Sequence, residues 1–342
     1  MHQVKIVAAT TALGANTETS THAVNKGTLD EESVRQIAVN QVPVATVGEN
    51  APSLAKLAAQ SALDSAKMKA SEIDLLLHSW THYQGHDFWS PAHYIANALG
   101  AHNAMPIGIN QMCNGGAIAI SLATDLLKHG RYSNVLITTG DIFPDESFDR
   151  WASDFGLAYG DAGTALLLRS VSTYSDNQGP RILDIESRVM SEAEKMHRGD
   201  DRFSKSPRQV SDRINVRRTK RAYMQSNDMD AFLLQNRNAV KDIIISLMEH
   251  SSAIGQQTQF RGIVMPRVGE KIIRTTYAAG SDDAIPGVNC FSYGADTGHL
   301  GAGDLVANIA TTLDAKTIRT GDRLIYLSAG AGFTITGVMA EF

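Results

Sequence analysis

Apolar positions along this chain switch between two spacings. Val4 to Ala8, Ile73 to His78, Met105 to Ile109, Val135 to Thr139 and Thr164 to Arg169 are short runs that predict strands. The run Ile-Asp-Leu-Leu-Leu-His at 73–78 has the apolar character of a strand buried on both faces. Between these runs, helices are predicted over Ser53 to Ala70, rich in alanine with apolar residues at helical spacing, over Pro91 to Leu99, with proline in its first turn, and over Asn114 to Lys128, closing near Gly130. The second half repeats the rhythm. Ile182 to Val189 predicts a strand, Asp228 to His250 a long helix, Ile263 to Met265 a short strand and Lys271 to Tyr277 a helix. Leu300 to Thr312 predicts a helix behind a glycine-rich turn, and Arg323 to Ala329 and Phe333 to Met339 a closing pair of strands. Strands alternating with helices imply an α/β sheet with buried parallel strands. The similar order of elements fits a duplication, with halves at 1–175 and 176–342, although the two halves share no visible sequence self-similarity.

One stretch breaks the pattern. Glu192 to Tyr223 is poor in apolar residues and reads as an exposed insertion or cap at about 192–223. It carries Arg198, Arg202, Lys205, Arg208, Arg213, Arg217, Arg218, Lys220 and Arg221. Two readings are open: a solvated loop and helix face, or a phosphate-binding patch for a nucleotide or carrier-protein arm.

Composition narrows the classes. At 342 residues, with 43% hydrophobic and 20% charged residues, the chain has the make-up of a soluble globular protein with a large core. A formal charge of -5 argues against a general nucleic-acid binder. Two cysteines, Cys113 and Cys290, exclude a disulfide scaffold and a four-thiolate zinc site within one chain. The start, MHQVKIVAATTALG, lacks the basic and long apolar regions of a signal peptide, and no apolar run reaches the roughly 18 residues of a membrane span. A cytoplasmic protein is expected, where reducing conditions suit a working thiol.

The chemistry concentrates at Pro106-Ile-Gly-Ile-Asn-Gln-Met-Cys-Asn-Gly-Gly-Ala-Ile-Ala-Ile-Ser-Leu-Ala. A strand ends, Cys113 sits at the turn, and Gly115 and Gly116 open a helix. The helix N-terminus supplies partial positive charge and free N–H groups near the sulfur, which favours the nucleophilic thiolate. The competing reading of Cys113 is a small buried hydrophobe. Cys290, in Val-Asn-Cys-Phe-Ser-Tyr-Gly, lacks this context and reads as a packed structural thiol.

Three further motifs follow in order: Tyr159-Gly-Asp-Ala-Gly-Thr-Ala, Gly298-His-Leu-Gly-Ala-Gly-Asp and Gly330-Ala-Gly-Phe-Thr-Ile-Thr-Gly. With the cysteine elbow they make the chain resemble, over nearly its whole length, the β-ketoacyl-acyl-carrier-protein synthase III branch of the thiolase superfamily. The resemblance implies a five-layered αβαβα thiolase fold from two duplicated halves, Cys113 in the first and His299 in the second, and a homodimer. It implies an acyl-CoA or acyl-carrier-protein donor with a phosphopantetheine arm, and no permanently bound cofactor or metal. It also implies an oxyanion hole from the amides of Cys113 and Ala331. Phe88 and Trp89 fall where such enzymes reach into the partner's acyl pocket, and Thr81 to Trp89 where they line the acyl tunnel. Lys271 falls where a basic residue stands beside the tunnel, against the competing reading of a surface lysine. Arg35 and the cap arginines are further candidates for phosphate contacts, and Asp161 reads as structural.

The sequence departs from the condensing members in two places. Their catalytic histidine lies in a Val-Pro-His-Gln-Ala-Asn segment. The matching run here is Ile263-Val-Met-Pro-Arg-Val-Gly-Glu-Lys, with Pro266 at the histidine position. Their catalytic asparagine follows a glycine, and here Gly298 is followed by His299. Without the His–Asn pair that supports an enolate, carbon–carbon bond formation should be poor. One cysteine and one histidine suffice for acyl transfer to the hydroxyl or amine of a small molecule, as in tailoring acyltransferases of polyketide and antibiotic pathways. A carboxylate could fix the His299 tautomer. Asp304, about one turn into the helix, is preferred to Asp296. The bland reading of His299 is a helix-start residue without chemistry. His78, His82, His86 and His93 lie close together, but Gly85 and a strand interrupt the helical spacing, so no metal site is expected. Two alternatives stand beside acyl transfer: a decarboxylating condensing enzyme, and an inactive partner subunit that binds a carrier protein, against which the intact elbow argues.

Overall fold

The structure is a computed structural model and describes residues 2–172, 179–252, 259–315 and 317–342. The boundary expected between residues 175 and 176 lies outside the described residues. The first half runs β1 (His2–Leu13), α1 (Ala51–Ala66), β2 (Leu75–Ser79), α2 (Pro91–Leu99), β3 (Met105–Ile109), α3 (Gly115–Lys128), β4 (Asn134–Asp141) and β5 (Ala162–Ser172). The second runs β6 (Arg181–Val189), α4 (Val216–Ser226), α5 (Met229–Ser252), β7 (Gln259–Val264), β8 (Cys290–Phe291), α6 (Asp304–Asp314), β9 (Asp322–Gly330) and β10 (Thr334–Glu341).

The strands lie in the order β3-β2-β4-β5-β1-β6-β10-β9-β7-β8. Each half of five therefore has the same arrangement, with its first strand beside its fifth, then the fourth, second and third. The pairing directions match as well. β2 is parallel to β3 and β4 while β5 is antiparallel to β1 and β4. β7 is parallel to β8 and β9 while β10 is antiparallel to β6 and β9. The duplication absent from the residues is present in the topology. Within the sheet, the described residues of the two halves pair at Val4 with Ile182 and at Lys5 with Arg181.

Side chains alternate across each strand, and this builds the layers. Leu75, Leu77, Val135 and Ile137 point to one face, and Leu324, Tyr326 and Val338 of the other half face them, with α3 and α6 packed between. Leu76, Leu136 and Leu167 point the opposite way, beneath α1 and α2. Ile325, Leu327, Ile335 and Met339 lie beneath α5. The result is the five-layered αβαβα thiolase arrangement. Because both faces of the central strands are covered, their buried positions are mainly apolar, with polar exceptions such as His78, Ser79, Thr138 and Thr139.

Local rules set several boundaries that periodicity misjudges. α1 starts at Ala51, two residues before the expected Ser53, because Asn50 and Ser53 cap each other reciprocally. It ends at Ala66 because Lys67 turns left-handed at φ 52°, and Ala70–Glu72 form a separate short turn. The helix expected from Lys271 is longer, running from Glu270 to Ala284 through a π-helical stretch, Ile273–Ala278. Residues 14–50, without any predicted element, hold a two-stranded ribbon (Asn16–Thr19 with Gln41–Val44) and two short helices, Ser20–Asn25 and Glu31–Ile37, capped by Thr19 and Asp30. These pieces are too short to show a period. Among the described residues no helix is long and apolar enough to cross a membrane.

Candidate active site

The cysteine elbow is tightly wedged. β3 ends at Ile109, and Met112 takes a left-handed conformation, φ 49°, that costs about 1–3 kcal/mol for a non-glycine residue. Cys113 follows in a one-turn 3-10 helix, Met112–Asn114, and α3 begins at Gly115. A Cβ on Gly115 would lie 1.9 Å from Ser79 Oγ, so only glycine lets the helix start this close to β2. Cys113 is half-buried rather than sealed in the core, which leaves its sulfur open to a ligand.

His299 arrives from the other half, and its backbone is clamped on both sides. Its N–H donates to Ala158 O at 2.7 Å, and its carbonyl accepts from Gly160 N at 2.9 Å. The Tyr159 ring meets the imidazole edge-on, with centroids 5.2 Å apart. Asp304 opens α6 and accepts three hydrogen bonds: from His299 Nδ1 (2.6 Å) and the Arg267 amide (3.0 Å) at Oδ2, and from the Leu300 amide (2.7 Å) at Oδ1. Asp296, the other candidate, is exposed and accepts from Asn40 instead. With Nδ1 held by Asp304, the far ring nitrogen is left free of that carboxylate, and Cys113 lies near enough for its charge to act on the ring.

The charges decide the state of the imidazole. Burial disfavours its cation, but the Asp304 carboxylate, the Cys113 charge and the hydrogen bonds to both outweigh burial and hold its pKa well above the ordinary imidazole value. The ring is therefore biased toward its protonated form.

Arg267 is a site residue that sequence reasoning missed. It follows Pro266 and is buried, donating to Asn308 Oδ1 (2.9 Å), Thr297 Oγ1 (2.7 Å) and Thr311 Oγ1 (3.0 Å). Its guanidinium bonds only neutral acceptors there, and the carboxylate whose charge favours its cationic form is Asp304. Tyr277, in the π-helical stretch, was missed too. Burial, then the charges of Cys113 and Asp304, push its phenol up.

The C-terminal glycine turn closes against the elbow. A Cβ on Gly330 would fall 2.5 Å from Asn114 N and 3.1 Å from Gln111 O. Asn114 Nδ2 donates to Thr336 Oγ1 at 2.9 Å, and Phe333 and Met190 exchange backbone bonds of 2.9 and 2.8 Å. Ala331, half-buried at this turn, is thus brought beside the Cys113 loop. Behind them, buried Asp141 accepts from the amides of Thr81, His82 and Ala302 and ties the loop after β2 to the turn before α6. Burial pushes its carboxyl up to about 6 against those bonds.

The other expected residues scatter. Phe88 is fully exposed with φ 47°, and Trp89 stacks outside on His86 and Tyr94, so only the inner part of Thr81 to Trp89 is buried. Lys271 and Arg217 line a cavity of about 450 Å³ with Phe155, Met224, Met229 and Ile272. Its wall at Phe155 and Gly156 leads directly into the Ala158–Gly160 clamp on His299. Arg35 is paired with Glu31 and Glu32 beside a neighbouring cleft that Lys271 also borders. Asp161 accepts from Ala45 N, Phe143 N and Arg150, a bracing role. His78 is buried between Thr138 and Gln84, and burial lowers its pKa to about 4. His82 packs on Phe143 and Phe148, and His93 bonds Ser90, so the four histidines serve different partners. Cys290 is exposed, not packed, because β8 is the outermost strand of its half and has one open side.

Part of the cap's charge is engaged by neighbours, while Arg202, Lys205, Arg208 and Arg213 are exposed. Arg198 pairs with Glu194, Arg218 with Asp201 and Lys220 with Asp154, while Arg217 donates to the carbonyls of Asp154 and Trp151.

Comparison with known proteins relates this geometry to a family. The model for 3-oxoacyl-[acyl-carrier-protein] synthase III matches residues 107–189, from the elbow through β6. The β-ketoacyl-[acyl-carrier-protein] synthase III of Ehrlichia canis is 31% identical over 44% of this chain, a match spanning about half, 46%, of that relative's length. The same enzyme of Chlorobium phaeobacteroides is 23% identical over 82% of this chain and 80% of its own. Among solved structures, ChlB3, described as an acyltransferase, superposes with a TM-score of 0.83 at 24% identity, covering 99% of this chain and 97% of its own. The chain is thus similar to the ketosynthase III-like proteins of the thiolase superfamily, most directly over residues 107–189, and shares the thiolase fold.

Proposed function

We propose that this chain moves an acyl group from acyl-CoA or an acyl-carrier protein, through a thioester on Cys113, to a hydroxyl or amine of a small molecule, in secondary metabolism of the polyketide or antibiotic kind. One observation carries the reading: a buried His299–Asp304 pair at 2.6 Å whose imidazole feels the charge of Cys113 from the other half of the chain. The resemblance to ChlB3 supports transfer, and Pro266 at the usual histidine position argues against condensation.

The residues divide the work. The Cys113 thiolate attacks the donor thioester carbonyl, and the amides of Cys113 and Ala331 receive the oxyanion. When the tetrahedral intermediate collapses, the His299 cation gives its proton to the departing thiolate of the pantetheine arm. Acylation removes the Cys113 charge that helped to hold His299 protonated, so the ring is a free base as the acceptor arrives. The neutral ring takes the acceptor's proton as its oxygen or nitrogen attacks the acyl carbonyl, and returns it to the Cys113 sulfur as the thioester breaks. Asp304 holds the tautomer throughout. Lys271 and Arg217 meet the donor's phosphates at the cavity mouth. No bound metal or cofactor is required beyond the donor thioester.

The reading includes a cytoplasmic homodimer. β3 is an outer strand with Met105 and Ile107 exposed, an edge that a second copy would cover while Phe88 and Trp89 reach across. The test is intact-protein mass spectrometry after incubation with mixed acyl-CoA donors. An acyl adduct that disappears in Cys113→Ala is expected. No adduct with any donor, or one that survives the substitution, overturns the reading. Carbon dioxide release with a β-keto product from malonyl-carrier protein would favour condensation instead.

A further inference from the structure

The cap is fastened to the loop that leads to the catalytic histidine. Arg217 of α4 donates to the carbonyls of Asp154 (2.8 Å) and Trp151 (3.1 Å), and its amide donates to Ser153 O at 3.0 Å. Arg217 and Arg221 both stand over the Phe155 ring, at 5.2 and 5.3 Å. Ser153 Oγ donates to Ile214 O at 2.8 Å. Within this seam one contact differs in kind. Lys220 places Nζ 2.5 Å from Asp154 Oδ1, and both groups are withdrawn from solvent. The other carboxylate oxygen, Oδ2, accepts from the Tyr159 hydroxyl at 3.1 Å. The Tyr159 ring then lies edge-on to His299, and its flanking backbone groups clamp the same residue.

We propose that Lys220, Asp154 and Tyr159 form a positioning relay through which the seated cap fixes the His299 imidazole against Cys113. The inference rests on the acyl-transfer reading only for its kinetic readout. Each link holds the next by a directed contact. The ammonium fixes one carboxylate oxygen, the carboxylate fixes the phenol, and the phenol ring meets the imidazole edge-on. A buried pair of this sort costs desolvation and contributes little net stability, but it is strongly directional. His197, on the cap beside Lys220 and Asp154, packs its ring 5.5 Å from that of Phe333 in the glycine turn. The cap therefore touches both the histidine side and the oxyanion side of the site. The titratable groups facing His299 are Asp304, Cys113 and Tyr159, with Arg267 and Tyr277 behind them.

The relay separates from a merely structural contact by its pH signature. The full-length protein is compared as wild type, Tyr159→Phe, Lys220→Met and Lys220→Arg, each checked for folding by its melting temperature. Two quantities are read: the pH–rate profile of Cys113 alkylation by iodoacetamide, and kcat and KM with the acyl-CoA donor that loads wild type. Tyr159→Phe and Lys220→Met are expected to shift the alkylation midpoint and to lower kcat about ten- to a hundredfold with KM nearly unchanged, the cost of a misplaced catalytic group. Lys220→Arg should restore both. A wild-type pH profile in Tyr159→Phe and Lys220→Met, or a rise in KM alone, overturns the relay. If no donor loads the wild type, the acyl-transfer reading fails by itself, and the alkylation profiles still decide the relay.

Discussion

Replacing Asp304 by asparagine keeps the shape of the site and removes one charge. The carboxylate now satisfies three N–H donors, from His299, Arg267 and Leu300. An amide has one acceptor oxygen. If that oxygen keeps His299 and Arg267, the amide nitrogen faces the Leu300 N–H, and a buried donor is stranded at about 1–3 kcal/mol. If the amide turns the other way, its NH2 faces His299 Nδ1 and forces the wrong tautomer. In either orientation the imidazolium loses its nearest counter-charge. Burial is the largest single influence on this ring and opposes its charge, so removing the carboxylate lowers the imidazole pKa. Each pKa unit of that fall is worth about 1.4 kcal/mol. The variant more often lacks the proton that the leaving thiolate needs, and general acid–base catalysis of this kind is worth about 10²–10⁴-fold. Acylation of Cys113 should therefore slow by about that factor in single-turnover experiments followed by intact mass. Its rate should also gain an acidic optimum, because only at low pH does the variant ring recover its proton. An Asp304→Asn protein that acylates within threefold of wild type, with the same pH profile, would show that Asp304 is only a helix cap and refute the assignment.

Further outcomes follow from the same geometry. The Asp141 carboxyl is raised to about 6 by burial, so between about pH 4 and 6 the folded state binds more protons than the unfolded one, and its contribution is lost as pH rises. A rise of two units corresponds to about 3 kcal/mol, and urea titrations across that window should show Asp141→Asn lacking this slope; an identical slope would refute it. Gly301 sits at φ 60°, and a Cβ there would lie 2.2 Å from Asp141 Oδ2, so Gly301→Ala should cost more than about 2 kcal/mol by denaturation and impair acylation, whereas Gly287→Ala, in open space, pays only for its backbone angle. Lys271→Ala should raise KM for acyl-CoA about three- to tenfold with little change in kcat, as expected of an exposed phosphate contact; an unchanged KM would make Lys271 a plain surface residue.

The sequence by itself determined the alternation of strands and helices, the elbow and the loss of the usual histidine. Each is written locally, in the apolar runs, in the glycines flanking Cys113, and in Pro266. It also brought Asp304 forward, because five residues of chain separate it from His299 and a helix start lies between. Tertiary structure decided the rest. Helix spacing favours Asp304 over Asp296, but the choice is made by a fold that buries one among amide donors and leaves the other facing solvent. Tyr159 bears on the site only because the fold brings it against His299 from the other half of the chain, and Arg267 because it meets Asp304 across 37 positions. The cap's basic residues read as one cationic run, yet Lys220 is paired with Asp154, 66 positions away, Arg218 with Asp201, 17 away, and Arg217 is held by backbone carbonyls. A residue's type is local, but its burial and its partners depend on which segments the sheet order makes neighbours, and those two quantities decide which charges act on a bound molecule.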